Sequence, residues 1–241
     1  MVAPQLPPFP VATIGLHGSA STWVFNIVRE LLAASSEDTP VVAFFAEDLR
    51  LWPEEAAREN IRMVIKAHRP GDELLNWLAK KDARLFLSIR DPRDASISLS
   101  QRFATPLQAT VGWLAADCRR MSVLAESGRP VLRYEDRFFE DPRTVADLAA
   151  GLGLAPAPET ITVLFDRYRT EKVRSIARGL RGSPRDRVAE VGPFLMDKET
   201  QILESHIGDT LSDKWRRLPG EVQVKLTSAF APFLEQFGYP L

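Results

Sequence analysis

The chain has 241 residues, of which 45% are hydrophobic and 26% are charged, and its formal net charge is −1 at pH 7. This composition is typical of a globular protein, and the length suits one domain spanning residues 1–241 around one sizeable core. The nearly neutral charge argues against a nucleic-acid partner, because such partners select strongly basic surfaces.

The compartment is predicted from the cysteine content and from the N-terminus. The single cysteine, Cys118, excludes an intrachain disulfide and fits a reducing compartment. Residues 1–10 contain prolines where a signal peptide would have a charged start and an apolar run. No stretch approaches the roughly 20 apolar residues of a membrane span. We therefore expect a cytoplasmic protein without a membrane partner.

Short β-rich segments alternate with helical patterns along the chain. This alternation predicts an α/β protein with three α/β/α layers and a central parallel sheet. The predicted strands are 11–14, 40–46, 62–67, 84–89 and 130–134. Helices are predicted after the first strand, from 106 to 126 with a stop at Ser127-Gly128, from 144 to 152 and from 219 to 237.

Two of the predicted helix starts share the sequence Asp-Pro-Arg, at 91–93 and 141–143. In each, the aspartate can cap the helix and the proline can occupy the first helical position, where its missing N–H costs nothing. Asp94 adds an acidic side chain to the first turn, which favours a helix start. We interpret these two segments as independent examples of the same helix-capping pattern and not as an internal repeat.

The segment 166–187 is basic, with eight arginine or lysine residues against three acidic ones. Gly179, Gly182 and Pro184 interrupt its pattern. These features predict a mobile basic loop or lid, with a solvated, disordered loop as the alternative.

The turn between the first predicted strand and helix, 15–26, is rich in glycine and small residues. A strand, a tight turn and a helix start form an anion site, because the free N–H groups of the first helical turn point at the ligand. Ser19, Ser21 and Thr22 add hydroxyl donors. The pattern Gly-x-x-x-x-Gly-Lys-Ser/Thr of ATP-binding loops is absent. An ordinary small-residue turn would have the same composition.

Polar residues end two further predicted strands. Lys66 and His68 lie at the end of the third strand, and Arg90 ends the fourth, with Ser98 about two turns into the next helix. Open α/β sheets bind ligands at this edge, and arginine offers a bidentate fork to phosphate. The alternatives are a surface histidine and a salt bridge from Arg90 to a neighbouring aspartate.

In order along the chain, these residues resemble the motifs of the cytosolic-type, PAPS-dependent sulfotransferases. The most specific motif is Arg-x-Pro-x-Asp-x-x-x-Ser, which Arg90, Pro92, Asp94 and Ser98 match. Other motifs are similar to 19–23, 66–70, 134–136 with 141–142, and 215–218, so the resemblance covers most of the chain. It implies a P-loop-kinase-like sulfotransferase fold and transfer of a sulfuryl group from PAPS to an acceptor hydroxyl or amine, leaving PAP.

The resemblance also implies a role for each matching residue. His68 would be the general base, and Lys66 would offset charge on the transferring group. Trp23 would stack on adenine, while Arg90 and Ser98 would bind the 3′-phosphate. The 5′-phosphosulfate would lie on the first loop, formed by His17, Gly18, Ser19, Ala20, Ser21 and Thr22. No metal is expected, because the leaving group is a phosphate that N–H groups and cations stabilise.

The first loop departs from the family at Gly18, where the family has a lysine or arginine. Lys66 or a protonated His17 could supply the missing cation, or an arginine of 166–187 could do so when a lid closes. Alternatively, the protein binds nucleotide and catalyses poorly. We favour the hypothesis that another residue supplies the missing cation, because Lys66 and His68 occur together in the chain.

The C-terminal part of the family's 3′-phosphate site is also irregular. The family pattern is roughly Arg-Lys-Gly-x-x-Gly-Asp-Trp, and this chain keeps Gly208 and Trp215 without the paired basic residues. Lys214, Arg216 or the upstream arginines could replace them.

Sulfuryl transfer from PAPS to a small-molecule or glycan acceptor is therefore the leading hypothesis. A PAP- or PAPS-binding module with impaired catalysis is the alternative, and a nucleotide-dependent phosphotransferase is a weaker one. The sequence does not indicate which acceptor is used or how many subunits assemble.

Overall fold

The computed structural model describes residues 9–35, 38–126, 128–205, 208 and 210–241. Three features used in the sequence analysis lie at least partly outside these ranges: the N-terminal residues 1–8, the helix stop at Ser127, and residues 206, 207 and 209 of the C-terminal pattern. No helix in the described ranges is both long enough and apolar enough to span a membrane.

Five parallel strands form the central sheet. They are β1 (Val11–Gly15), β2 (Val41–Phe45), β3 (Arg62–Ala67), β4 (Arg84–Ile89) and β5 (Val131–Arg133). Their order across the sheet is β2-β3-β1-β4-β5, and every neighbouring pair is parallel. All five predicted strands are confirmed. The chain turns to opposite sides of β1, so a crevice for ligands forms where β1, β3 and β4 end.

Helices cover both faces of this sheet. One face carries α1 (Ser21–Ala34), α5 (Arg143–Leu152), α6 (Pro158–Arg167) and α7 (Thr170–Gly179). The other carries α2 (Asp72–Lys80), α3 (Pro92–Phe103), α4 (Leu107–Ala125) and α8 (Gly220–Gln236). Alternate strand residues enter the two cores: Val11 packs with α1, whereas Ala12 and Ile14 pack on the opposite face. The three-layer α/β/α prediction is confirmed.

The basic segment 166–187 is largely helical, contrary to the loop predicted from its sequence. It includes the end of α6 and all of α7, and it runs into a hairpin of β6 (Val188–Val191) and β7 (Phe194–Asp197). The helix forms because Val173, Ile176 and Ala177 recur at helical spacing and pack on the same core as α1. Gly179 ends the helix and does not interrupt it. That this segment moves as a lid stays a prediction.

The start of α3 is built around a buried ion pair. Asp91 accepts a hydrogen bond from the backbone N–H of Arg93 at 2.9 Å, as a capping residue does, and also binds the Arg93 guanidinium at 2.7 Å. Arg93 has no exposed surface, and its guanidinium carbon lies 3.6 Å from the centre of the Trp215 ring. Asp94 accepts from the backbone N–H of Trp215 at 3.0 Å. The first turn of α3 therefore binds the C-terminal segment as well as beginning a helix.

We predict that Asp91→Ala destabilises the protein strongly. The variant would leave the Arg93 guanidinium buried without its counter-charge, a loss of about 3–5 kcal/mol in the free energy of unfolding. Asp141→Ala is the matched control, because Asp141 makes the same contacts to Arg143 on an exposed surface. Urea unfolding measures both variants. Equal losses would show that capping, and not the buried ion pair, accounts for the effect.

Candidate active site

A cavity of about 370 Å³ lies where the strands end. Its lining includes side chains that follow β1, β3, β4 and β5 directly, together with parts of α1, α3, α7 and the segment before Trp215. Nine of the predicted site residues line it: His17, Gly18, Ala20, Ser21, Thr22, Trp23, His68, Arg90 and Ser98. The fold thus brings most of the candidate residues to one place.

The loop between β1 and α1 depends on a close approach at Gly15. A Cβ at this position would lie 2.3 Å from Ser88 Oγ and 2.4 Å from Ser21 Cβ, so no other residue fits. Ala20 adopts the left-handed conformation, with φ 60°, and α1 begins without a side-chain cap. The first N–H groups of α1 have no carbonyl in their own helix, as at helix starts that bind anions.

Ser19 is not placed to bind a ligand. Its hydroxyl is fully buried and lies 2.9 Å from Ser88 Oγ, and its backbone N–H donates to Leu16 O. The predicted role of Ser19 as a hydroxyl donor to phosphosulfate therefore does not fit this geometry. The side chain instead joins the loop to β4, whereas Ser21 and Thr22 line the cavity.

Lys66 lies in the wall behind the loop. Its Nζ donates to Thr22 Oγ1 at 2.7 Å, and the residue is only 5% exposed. Burial, followed by the nearby charge of Arg102, lowers the pKa of Lys66 to about 7. An anion on the loop would favour the charged form of this lysine. The ammonium reaches the loop through Thr22 and is not among the groups that line the cavity.

One ring nitrogen of His68 forms a hydrogen bond, and the other has no hydrogen-bond partner among the described residues. Nδ1 lies 2.7 Å from Gly15 O, which can only accept, so Nδ1 carries the proton and Nε2 has the lone pair. The backbone N–H groups of His68 and Arg69 donate to the Glu47 carboxylate. Burial holds the pKa of His68 well below its usual value, and the charges of Lys66 and Arg102 add to this effect, as does His17 once that ring is protonated near pH 3. A neutral imidazole with a free Nε2 is suited to accept a proton.

His17 lies directly against His68. The two ring centroids are 3.8 Å apart with the planes at 27°, and His17 Nδ1 is 2.5 Å from Asp117 Oδ2. Burial lowers the pKa of His17 to about 3 and raises that of Asp117 to about 6. The imidazole is therefore neutral and the carboxylate is charged at pH 7. A protonated His17 as the missing cation, one of the accounts considered from sequence, does not agree with this arrangement.

Arg90 holds the loop and the C-terminal segment together. Its guanidinium donates to Gly18 O at 3.3 Å and to Leu211 O at 2.8 Å, and it lies 4.1 Å from the centre of the Tyr134 ring. Arg90 is 4% exposed, and its Nε has no hydrogen-bond partner among the described residues. Both of its hydrogen-bond partners among the described residues are carbonyl oxygens, so within them Arg90 does not form the salt bridge to a neighbouring aspartate that was the alternative.

Ser98 meets the C-terminal segment through Lys214. The Lys214 ammonium donates to Ser98 Oγ at 2.7 Å, and both residues line the cavity near Arg90. Of the replacements considered for the missing basic pair, Lys214 is the one at this position. Arg216 instead pairs with Asp213 at 2.9 Å on the surface.

Arg102 is a cavity residue that the sequence motifs did not identify. It lies on α3 one turn after Ser98, and this helical spacing is the signal that could have found it. Burial and the charge of Arg90 lower its pKa to about 10, so it remains a cation. Its charge in turn lowers the pKa values of Lys66 and His68.

The arginines of 166–187 are mostly paired elsewhere. Arg167 binds Glu30 at 2.8 Å, Arg187 binds Asp197 at 2.7 Å, and Arg181 binds Glu204. Arg174 donates to Gly208 O at 3.2 Å. In this conformation the cavity is lined from α7 by Thr170 and Val173, not by an arginine.

Several buried polar atoms in the cavity wall lack a partner among the described residues. Besides Arg90 Nε, they are Trp23 Nε1, Asn26 Oδ1 and Ser205 Oγ. Buried polar groups are almost always hydrogen-bonded, so a cluster of such atoms in one wall fits a polar ligand. Donors and acceptors both occur, as recognition of a nucleotide base and sugar requires.

No protein-family model matches the chain, and no curated protein is similar to it in sequence. Solved structures do share its fold. Retinol dehydratase in a complex with retinol and PAP has a TM-score of 0.64 at 15% identity, covering 95% of this chain and 82% of that one. The mouse sulfotransferase SULT7A1 complexed with PAP has a TM-score of 0.67 at 12% identity, covering 94% and 84%. Retinol dehydratase with androsterone and inactive cofactor PAP has a TM-score of 0.62 at 15% identity, covering 95% and 81%. The chain therefore has the sulfotransferase fold.

We predict that stability falls as the pH is lowered below about 6.5. The unfolded chain takes up protons on His17 and His68 there, whereas the folded protein keeps both rings neutral, His17 down to about pH 3. Each such imidazole costs about 1.4 kcal/mol of unfolding free energy per pH unit. Protonation of Asp117, whose pKa is raised to about 6, acts in the opposite direction and offsets about half of this loss below pH 6.

Urea unfolding of the wild type and of His68→Gln, at several pH values between about 7.5 and 6, measures this slope. The variant should lose less stability per pH unit, because one buried imidazole is absent. Parallel losses in both proteins would contradict a neutral, buried His68.

Proposed function

We propose that the protein transfers a sulfuryl group from PAPS to an acceptor hydroxyl, with His68 as the general base. One observation carries the proposal: a single cavity joins the anion-binding loop, a histidine with a free Nε2, and the group Arg90, Ser98 and Lys214. These parts match the groups that the reaction needs, namely a phosphosulfate site, a base and a 3′-phosphate site. The sulfotransferase fold supports the same reaction.

The base step follows from the tautomer of His68. The acceptor oxygen attacks sulfur while its proton passes to Nε2 of His68, and the bond from sulfur to the 5′-phosphate oxygen breaks. The hydrogen bond from Nδ1 to Gly15 O fixes the ring and stabilises the imidazolium that forms. Lys66 and Arg102 keep the resting imidazole neutral, so its lone pair is available near pH 7.

Charge on the leaving phosphate would be offset by the start of α1 and by two cations. The N–H groups and dipole of α1 favour an anion on the loop. Lys66 acts through Thr22 and would carry its full charge once the anion binds, since its pKa of about 7 lies close to neutrality. Arg102 adds a permanent charge in the cavity. Together they replace the cation that Gly18 cannot supply.

The remainder of PAPS would fill the other end of the cavity. Arg90, Ser98 and Lys214 would hold the 3′-phosphate with charge-assisted hydrogen bonds. Trp23, Asn26 and Ser205 would contact the nucleoside through their unpaired atoms. The related retinol dehydratase structures contain retinol or androsterone. We therefore propose a small-molecule acceptor with a hydroxyl group, entering beside His68.

A binding module with impaired catalysis is the second candidate, favoured by Gly18 alone. It predicts tight PAP binding without turnover. A phosphotransferase would instead prefer ATP. Calorimetric titration with PAP, AMP and ATP, followed by an acceptor screen with labelled PAPS, separates the three.

We predict that His68→Gln abolishes turnover without weakening PAP binding. Loss of a general base lowers kcat by about 100- to 10,000-fold. The affinity for PAP should not change, because PAP carries no group that His68 would contact during transfer. Rates with labelled PAPS and calorimetry with PAP provide the two measurements. Normal turnover by this variant would refute the assignment of the base.

We predict that Lys214→Ala weakens PAP binding by about 10-fold while leaving AMP binding unchanged. The lysine lies on Ser98, where only the 3′-phosphate of PAP would reach. Lys225→Ala, on the exposed face of α8, is the matched control. An equal loss of AMP affinity would place Lys214 away from the 3′-phosphate.

A further inference from the structure

We propose that Asp117 and His17 are positioning residues for the base: Asp117 orients His17, and the His17 ring supports His68 when it takes the acceptor's proton. The proposal rests on the proposed function, in which His68 is the base. It assigns a role to a carboxylate and an imidazole that the sulfotransferase motifs do not include.

Asp117 occupies a position in α4 that packing alone would give to an apolar residue. Its neighbours on the buried face of the helix are Leu114, Cys118 and Met121. Asp117 has no exposed surface, and its Oδ1 has no hydrogen bond among the described residues. Desolvating a carboxylate costs several kcal/mol, and a buried charged pair often adds little net stability, so packing alone does not explain this residue.

Both partners of Asp117 belong to the catalytic end of the sheet. His17 lies in the loop after β1 and binds Oδ2 at 2.5 Å, and Arg69, directly after His68, lies 3.6 Å from Oδ1. The Trp113 ring, one helical turn before Asp117, lies 4.5 Å from the His17 ring. Asp117 and Trp113 thus hold the His17 ring in place, and the ring stacks on His68.

The stacked His17 ring supplies the negative charge that a protonated His68 would otherwise lack nearby. The other charges that act on His68 are Lys66 from β3 and Arg102 from α3, both positive, and the Glu47 carboxylate after β2 is engaged by the backbone N–H groups of residues 68 and 69. A neutral ring polarised by a carboxylate attracts an imidazolium on its face. Asp117 thereby contributes negative charge toward His68 through the His17 ring, without contacting the acceptor.

Asp117→Asn tests the charge while preserving the shape, because the amide oxygen can still accept from His17 Nδ1. At about pH 7.5, where Asp117 is charged and both rings are neutral, the 15N resonances of the His68 ring should differ between Asp117→Asn and the wild type. With labelled PAPS, kcat should fall about 10-fold at an unchanged KM for PAPS. Asp147→Asn, on the exposed face of α5, is the matched control and should change neither.

The double variant His17→Leu with Asp117→Leu separates function from packing, because it removes both the carboxylate and the ring that stacks on His68. Apolar residues in place of the buried pair should leave the unfolding temperature unchanged or higher. The same variant should show the reduced kcat of Asp117→Asn. Full kcat in the double variant, or His68 resonances in Asp117→Asn that match those of Asp147→Asn, would overturn the proposal. Should the wild type transfer no sulfuryl group at all, the proposed function fails, and the NMR comparison still decides the role of Asp117 and His17.

Discussion

The geometry of the site depends on the absence of a side chain at Gly15. Because nothing projects there, the end of β1, the Ser88 side chain of β4 and the first residue of α1 meet within contact distance. The Gly15 carbonyl then receives the ring of His68, so one residue sets both the path of the loop and the tautomer of the proposed base. A larger residue would separate the loop from β4 and displace the histidine with it.

The C-terminal segment completes this arrangement from a distance along the chain. Trp215 is fixed to the start of α3 by Asp94 and by the buried Arg93, and these contacts bring Lys214 onto Ser98. Arg90 binds the carbonyls of Gly18 and Leu211, one from the first loop and one from this segment. The end of the cavity proposed for the 3′-phosphate thus forms only when residues more than 100 positions apart have packed. This end of the cavity therefore depends on the same buried ion pair, between Asp91 and Arg93, with which α3 begins.

Much of this could be predicted from the sequence, and the exceptions have physical reasons. The alternation of β-rich and helical segments predicted the five strands. The position of Lys66, His68 and Arg90 at strand ends predicted that these residues lie at one edge of the sheet. The loop predicted for the segment 166–187 is wrong, because the many charged residues obscure the helical spacing of Val173, Ile176 and Ala177. The direction of Ser19 could not be predicted, since the left-handed residues Gly18 and Ala20 decide it. The contacts of Asp117 with His17 and of Lys214 with Ser98 join residues far apart in the chain, and no local pattern encodes them.

The single cysteine, Cys118, lies next to Asp117 in α4 and can serve as a chemical probe of this helix. Cys118 is buried on the face of α4 that packs on the core, and burial raises the pKa of its thiol far above the usual range. A maleimide or disulfide reagent can react with it only when α4 separates from the sheet, because only an exposed thiolate is nucleophilic. The labelling rate of the unmodified protein therefore reports how often α4 separates from the sheet. Asp117, the preceding residue of α4, binds His17 in the cavity wall, so the same separation would release His17.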